Sequence, residues 1–486
     1  MKRETSLALV MAIILTACAK PAPEQQLVDD AAAALGGAER LLAVKTLVIE
    51  GEGTHYNLGQ DLVPGASGQT FAVTRYRRAI DLSGERALTE LSRVPKFTFW
   101  QGLAPQRQVQ GLDKAIGYNV AANGTVSRTA QAATDDRRAE WLRHPVTALR
   151  AALDPAAQRT NLRTEGGQSL VDIRTADGRV FTLTVDAATK QPTRVSSLAN
   201  HVNLGDVVIS TEFADYQSAG GLELPARLTT KTDDFTTAEV RVTRQTIDGD
   251  TGDLAAPAAA ASAAAPGPQP PNVTVKDVSP GVWLLTGGSH HSALIEFSDH
   301  LVLIDAPNND ARTLAVIAKA RELRPNKPLT HVVNSHHHFD HSGGIRAAVS
   351  EGLTVITHQG NAAFIEEVVR RPHTLVPDAL SKSPKPLKIE TVSDEKVLTD
   401  GTMTVNLSSI PSEHSDTMLM AYLPRDRALI VIDVYEPIGT THMFAGRFIE
   451  DLEKRKLRVD RILPLHGEIV PYAQMVKDAK GGGRSE

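Results

Sequence analysis

Between a short apolar run and a pair of glycines the chain reads His336-His337-His338-Phe339-Asp340-His341, and no other stretch so narrows the folds open to it. Residues 329–334, with His331, Val332 and Val333, are short, apolar and β-branched, the pattern of a buried strand. If the extended backbone continues past Ser335, residues two apart point the same way. His336, His338 and Asp340 then share a side, and His337 faces away as a bystander. Ser342-Gly343-Gly344 opens a turn into a helical pattern from Ile345, which swings His341 back toward the same side. Imidazole and carboxylate donors in this grouping suit zinc, manganese or iron. His414, Asp433 and His466 follow at intervals that let them join the cluster. Two cations about 3.5–4 Å apart could share such a set and hold a hydroxide between them.

The 486 residues exceed one ordinary domain, so two or three are expected. A hydrophobic share of 41% beside 22% charged residues describes a globular protein with ample core. A formal net charge of −5 argues against a basic nucleic-acid-binding surface, and no nucleic-acid partner is expected.

The first eighteen residues carry a positive head, Lys2-Arg3, a short apolar core over residues 7–15, and the ending Leu15-Thr16-Ala17-Cys18. That is the layout of a secretory signal, too short to remain as a spanning helix. Leu-Thr-Ala-Cys resembles the lipobox of bacterial lipoproteins, which implies lipidation at Cys18, the chain's one cysteine. A cleaved signal with an incidental cysteine is the plainer alternative. With Ala19 following, the resemblance implies an extracytoplasmic protein anchored at the periplasmic face of an outer membrane.

Residues 251–272 are rich in alanine and proline and read as a semi-extended linker. Before it, residues 27–250 open with a helix expected over 27–42 and continue as strand patterns. Asp177-Gly178 marks a hairpin between two of them, and a helix over 137–153 is interrupted at Pro145. This β-rich unit, with its turn Gly221, Leu224, Pro225, resembles the half-open barrel of LolA-type lipoprotein carriers. His55, His144 and His201 stand alone and read as surface or core histidines.

Residues 273–486 alternate strand patterns with helices near 311–323, 361–370 and 447–453. This α/β pattern suggests two sheets between helical layers. Together with the histidine string it resembles the metallo-β-lactamase fold, a four-layer αββα sandwich. The resemblance implies a three-histidine site from His336, His338 and His414, a second from Asp340, His341 and His466, and Asp433 as a carboxylate bridging two zinc ions, with iron or manganese as alternatives. Asp305 ends a strand and reads as a group behind the ligands. Asp433 stands where lactamases with a cysteine ligand carry it, so lactamase activity loses support. The segment after His414 also lacks the family's glycine, which predicts a different local turn.

The chemistry expected is hydrolysis of a small ester, lactone, thioester or amide by a metal-bridging hydroxide, with Asp340 orienting that hydroxide or taking its proton. Tyr435 could donate to the oxyanion, and a packing tyrosine is the plainer reading. His290 and His291 read as exposed-loop histidines near the mouth. Two alternatives stand beside hydrolysis. One is a mononuclear iron oxygenase resembling persulfide dioxygenases; the other is a lipid or lipoprotein carrier whose metal site is structural.

Overall fold

A computed structural model describes residues 21–66, 69–97, 104–437 and 442–481. Cys18 and the signal-like stretch lie outside the described residues.

The first unit is one sheet of thirteen strands. Its central pair, Thr46–Tyr56 and Phe235–Ile247, runs antiparallel, as does every pairing out to Val126–Arg128 at one edge and Gln158–Glu165 at the other. Four helices cover one face: Pro23–Ala34, Ala38–Ala43, Gln131–Trp141 and Pro145–Leu153. Leu27, Val28, Leu41, Trp141 and Leu149 pack there against Leu47, Ile80, Leu183 and Phe213. The single helix expected over 27–42 is in fact two. Gly36 and Gly37 take φ of +116° and +100°, a region that ends a helix and that side-chained residues avoid. Pro145 opens the last helix at the position where its missing N–H costs nothing.

The Ala/Pro segment does not cross solvent as a free linker. Leu254 is only 4% exposed and packs with Val48 and Ala79. The amide of Ala256 donates to Asp113 (3.0 Å), Arg128 donates to the carbonyl of Ala263 (2.7 Å), and Ala258–Ala261 forms one helical turn. Prolines forbid a longer helix, and the exposed flank of the sheet supplies partners for an extended chain.

The second unit has four layers. A seven-stranded sheet begins antiparallel with Thr274–Ser279, Val282–Thr286, Ser292–Glu296 and Leu301–Ile304. It continues parallel through Leu329–Val333, Thr354–His358 and Lys388–Val392. The six-stranded sheet runs Glu395–Thr399, Thr404–Ser409, Leu419–Leu423, Ala428–Val431, Arg461–Pro464, Val470–Pro471. Leu284, Ile295, Ile304 and Val333 of one sheet meet Val405, Leu407, Leu429 and Ile430 of the other in the central core. Helices Asp310–Leu323, Ile345–Ser350 and Ala362–Arg370 cover the first sheet through Val316, Ile345 and Ile365. Ala445–Lys454 and Tyr472–Gly481 cover the second through Phe448, Leu452 and Met475. Strands buried on both faces explain why these segments read as unbroken apolar runs. Among the described residues no helix is long and apolar enough to cross a membrane.

Candidate metal centre

Strand ends deliver the donors. His336 and His338 follow Leu329–Val333, Asp433 follows Ala428–Val431, and His466 follows Arg461–Pro464, while His414 lies on the connection after Thr404–Ser409. The sheets are tied at this rim, where the amide of Leu419 donates to the carbonyl of Ser335 (2.8 Å) and that of His291 to Leu465 (2.9 Å). Rigid strand ends are a stiffer mount for ligands than free loops.

The backbone stays extended only to His338. Phe339–Ser342 is already a helical turn, so Asp340 and His341 reach the pocket from a turn rather than from a continued strand. His337 is buried but lies outside both donor groups, its Nδ1 3.4 Å from the Thr417 hydroxyl. The turn at His414 is built on Ser412, two residues before it, whose hydroxyl accepts from the amides of His414 (3.2 Å) and Ser415 (3.3 Å).

Two donor groups result. His336, His338, His414 and Asp433 form one, and His290, Asp340, His341 and His466 the other; within each, the donor atoms lie within 4.8 Å of one another. Asp433 joins them. Its Oδ2 lies 2.8 Å from His414 Nε2 and 3.3 Å from His336 Nε2, and its Oδ1 lies 2.9 Å from His466 Nε2 and 3.2 Å from His341 Nε2. His336 Nε2, His338 Nδ1, His414 Nε2 and Asp433 Oδ1 are buried and lack a hydrogen-bond partner. Orphaned donors at this spacing fit a shared cation: ligands about 2.0–2.2 Å from tetrahedral zinc sit roughly 3.3 Å apart. His341 Nε2 and His466 Nε2 face each other at 3.1 Å, again the separation of two imidazoles on one ion.

The electrostatics agree. Burial lowers the pKa of His336 to about 4, against a partial rise from Asp433, so its lone pair is free at neutral pH. Burial would lower His341 too, yet Asp433, Asp340 and Asp305 outweigh it and hold it well above its ordinary value. For Asp433 burial pushes upward, and His341, His414 and His466 pull it well below the carboxylate range. The pocket attracts positive charge, and a divalent cation satisfies the same carboxylates that hold a proton on imidazole.

Several groups orient the ligands. Asp305, at φ +66°, accepts from the amide of Ser335 (2.7 Å), its hydroxyl (2.9 Å) and His341 Nδ1 (2.7 Å). A non-glycine residue in that strained region persists where its surroundings fix it. His290 is not an exposed-loop histidine. Ser289 (2.7 Å) and Asn308 (3.1 Å) donate to its Nδ1, which leaves the proton on Nε2, 3.0 Å from Asp340 Oδ2. Glu436 lies in donor range of Asp433 and His466, and burial raises its pKa. Tyr435 does not join the cluster: its ring is buried in the central core and its hydroxyl donates to Asp478 (2.7 Å).

The N-terminal unit reaches the same pocket through the loop after Thr46–Tyr56. Gln60 Nε2 donates to Asp340 Oδ1 (2.8 Å), and His338 Nε2 donates to the carbonyl of Asp61 (2.8 Å). The amide of Asp416 donates to the carbonyl of Leu62 (2.9 Å). Gly59 has φ +76°, and a Cβ there would come within 2.2 Å of the Phe339 ring. Nothing in the sequence marks this loop: glutamine and a backbone carbonyl carry no spacing signature, and they lie 280 and 277 positions from their partners.

Comparison with known proteins agrees with this geometry. Residues 285–473 match the family model of the Metallo-beta-lactamase superfamily. The linear primary-alkylsulfatase of Pseudomonas sp. (strain ATCC 19151) is 25% identical over 227 residues, 38% of this chain. The chain spans 43% of the length of that curated relative. Similar solved structures include the metallo-beta-lactamase from Pontibacter korlensis, 16% identical with a TM-score of 0.35, covering 43% of this chain and 98% of that one. The metallo-beta-lactamase from Hirschia baltica is 18% identical with a TM-score of 0.34, covering 43% and 97%. The family match contains every donor from His290 to His466, and residues 285–473 accordingly form a metallo-beta-lactamase-type domain.

Proposed function

We propose that the chain is an extracytoplasmic hydrolase that holds two divalent cations and cleaves a small ester, lactone, thioester or amide. One observation carries this reading: the two oxygens of Asp433 each face a different imidazole set at 2.8–3.3 Å. A structural site closes with four ligands, whereas two groups sharing one carboxylate suit a paired centre. Imidazole and carboxylate donors suit zinc, and iron or manganese would accept the same set. Cations held there would supply an acidified water and an electrophilic pull on the substrate oxygen. His336, His338 and His414 would hold one cation, and Asp340, His341 and His466 the other, with Asp433 between them. Asp340 stays ionised because, against the upward push of burial, His341 and His290 hold its pKa far down. Pinned by Gln60 and His290, its carboxylate is set to accept a hydrogen bond from attacking water and aim it. The name of the curated relative adds primary alkyl sulfate esters to the candidate substrates.

The test is a substrate panel of esters, lactones, thioesters, amides and alkyl sulfates, run with metal content measured in parallel. Chelation or His338→Ala should cost about a thousandfold or more in turnover, with about two zinc ions per native chain. Unchanged turnover in stripped protein defeats the reading. One iron per chain with oxygen uptake would support the oxygenase instead. Extracytoplasmic placement rests on the signal-like residues 1–18: Cys18→Ala should move the protein from the membrane fraction to the soluble one, and an unchanged distribution refutes a lipid anchor.

A further inference from the structure

The N-terminal sheet encloses a cavity of about 260 Å³, none of whose lining residues belongs to the metal centre. Its walls come from strands on both flanks of the sheet and from the junction of helices Gln131–Trp141 and Pro145–Leu153. One side is apolar, with Ile49, Leu228 and Val240. The other carries Arg78, Glu140 and Arg143. Arg78 and Glu140 pair directly: the guanidinium donates to the carboxylate at 2.8 Å and to the Glu140 carbonyl at 3.1 Å, leaving only its Nε without an acceptor.

Arg143 has no such partner. It is 8% exposed, its Nε is buried without an acceptor, and its side chain makes no hydrogen bond or ion pair among the described residues. Burial lowers its pKa while Glu140 acts to raise it, yet a guanidinium stays charged at neutral pH. Trp141, Leu142, His144 and Pro145 on either side of it are buried too. Folding has left a buried guanidinium with no direct acceptor beside a void of mixed polar and apolar lining, Glu140 and Asp136 acting on it only from beyond bonding distance. Buried charges are ordinarily paired, so this one points to a ligand that supplies the negative partner.

We propose that this cavity binds an amphipathic organic monoanion, a carboxylate whose head takes the guanidinium fork of Arg143 and whose short alkyl chain lies against Ile49, Leu228 and Val240. A single charged head suits the site because Glu140 is in direct contact with Arg78, whereas Arg143 makes no side-chain hydrogen bond or ion pair among the described residues. Bidentate pairing with a planar carboxylate suits arginine geometry. At about 30 Å³ per water-sized group the void takes roughly eight or nine heavy atoms, the size of hexanoate. The site stands independently of the hydrolase reading.

Hexanoate titrated calorimetrically into the full metal-loaded chain should bind at one site, with hexanol at least about tenfold weaker. Arg143→Met should weaken hexanoate by about tenfold or more while leaving metal content and hydrolysis unchanged. Because a carboxylate can also meet metal, binding equal in Arg143→Met and wild type would place hexanoate elsewhere and overturn the proposal. So would no binding to wild type up to about 10 mM. Melting temperature separates a ligand role from a structural one. Arg143→Met should melt no lower than wild type without ligand, and hexanoate should raise the melting point of wild type alone. Should Arg143→Met fail to fold, Ala238→Leu, which fills the same cavity from its wall, must still abolish hexanoate binding; full binding in that variant overturns the assignment.

Discussion

At the scale of single residues, candidate metal donors and the groups that position them announce themselves differently. His336, His338, Asp340, His341, His414, Asp433 and His466 could all be named from the chain, because metal donors are few in kind and these crowd the ends of apolar runs. Gln60 could not, since glutamine between strands has no reserved meaning. Its amide nevertheless fixes Asp340, so Gln60→Ala should weaken metal binding by about 10–100-fold, with the melting point nearly unchanged. Competition with a zinc-chelating dye reads this directly, and wild-type affinity in the variant refutes the role. Tyr435 misleads for the opposite reason: adjacency to a ligand in sequence says nothing about which way a ring points, and this one faces Asp478. His144 carries a pH dependence. Burial, helped by the charge of Arg78, holds its pKa at about 3 against an ordinary 6.5, so the folded protein keeps it neutral. Its stabilising contribution is therefore complete above pH 6.5 and lost as pH falls from there toward 3. Melting temperature should drop across that window, and less steeply in His144→Gln. An identical slope in the variant would assign the loss to other groups.

At the scale of elements, strand ends and glycines govern what could be foreseen. The strand before the histidine string and the helices over 310–323 and 362–370 follow from apolar periodicity, and the structure has them almost where that period puts them. Boundaries shift where local backbone chemistry intervenes. Gly36-Gly37 cuts one expected helix into two, and the turn at Phe339 begins before the Gly-Gly pair that was its only visible signal. The docking of residues 57–62 was hidden, because contact between distant loops leaves no pattern within either. Gly59 is its tightest point. Gly59→Val adds a branched side chain at positive φ where a Cβ alone already meets Phe339. The expected cost is about 1–3 kcal/mol of stability together with weakened metal retention. Denaturant unfolding checks it, and a variant that keeps both properties would show the loop to be loosely held.

At the scale of the whole molecule, two units with separate cores are clamped by a few polar residues. Arg371 donates to the carbonyls of Leu204 (2.6 Å) and Asp206 (3.2 Å) and pairs with Asp233 (2.5 Å). Asp206 in turn accepts from the amides of Thr374 (2.9 Å) and Leu375 (3.0 Å). Removing Arg371 takes away these hydrogen bonds together with an ion pair whose carboxylate is partly exposed, a loss of about 1–3 kcal/mol. Arg371→Ala should split one calorimetric unfolding transition into two, while each core survives. A single transition at the wild-type temperature would count against the clamp.

The reach of Gln60 and Asp61 across this clamp has a consequence for the molecule's life as a chain. A protease that nicked residues 248–273 would leave all seven principal ligands on one fragment and the two groups that steer them on the other. Such a product keeps its cations' seats yet loses their alignment once the halves part. Alignment of the donors thus depends on the halves staying together, which after such a cut would rest on noncovalent contacts such as those of Arg371 and Asp206.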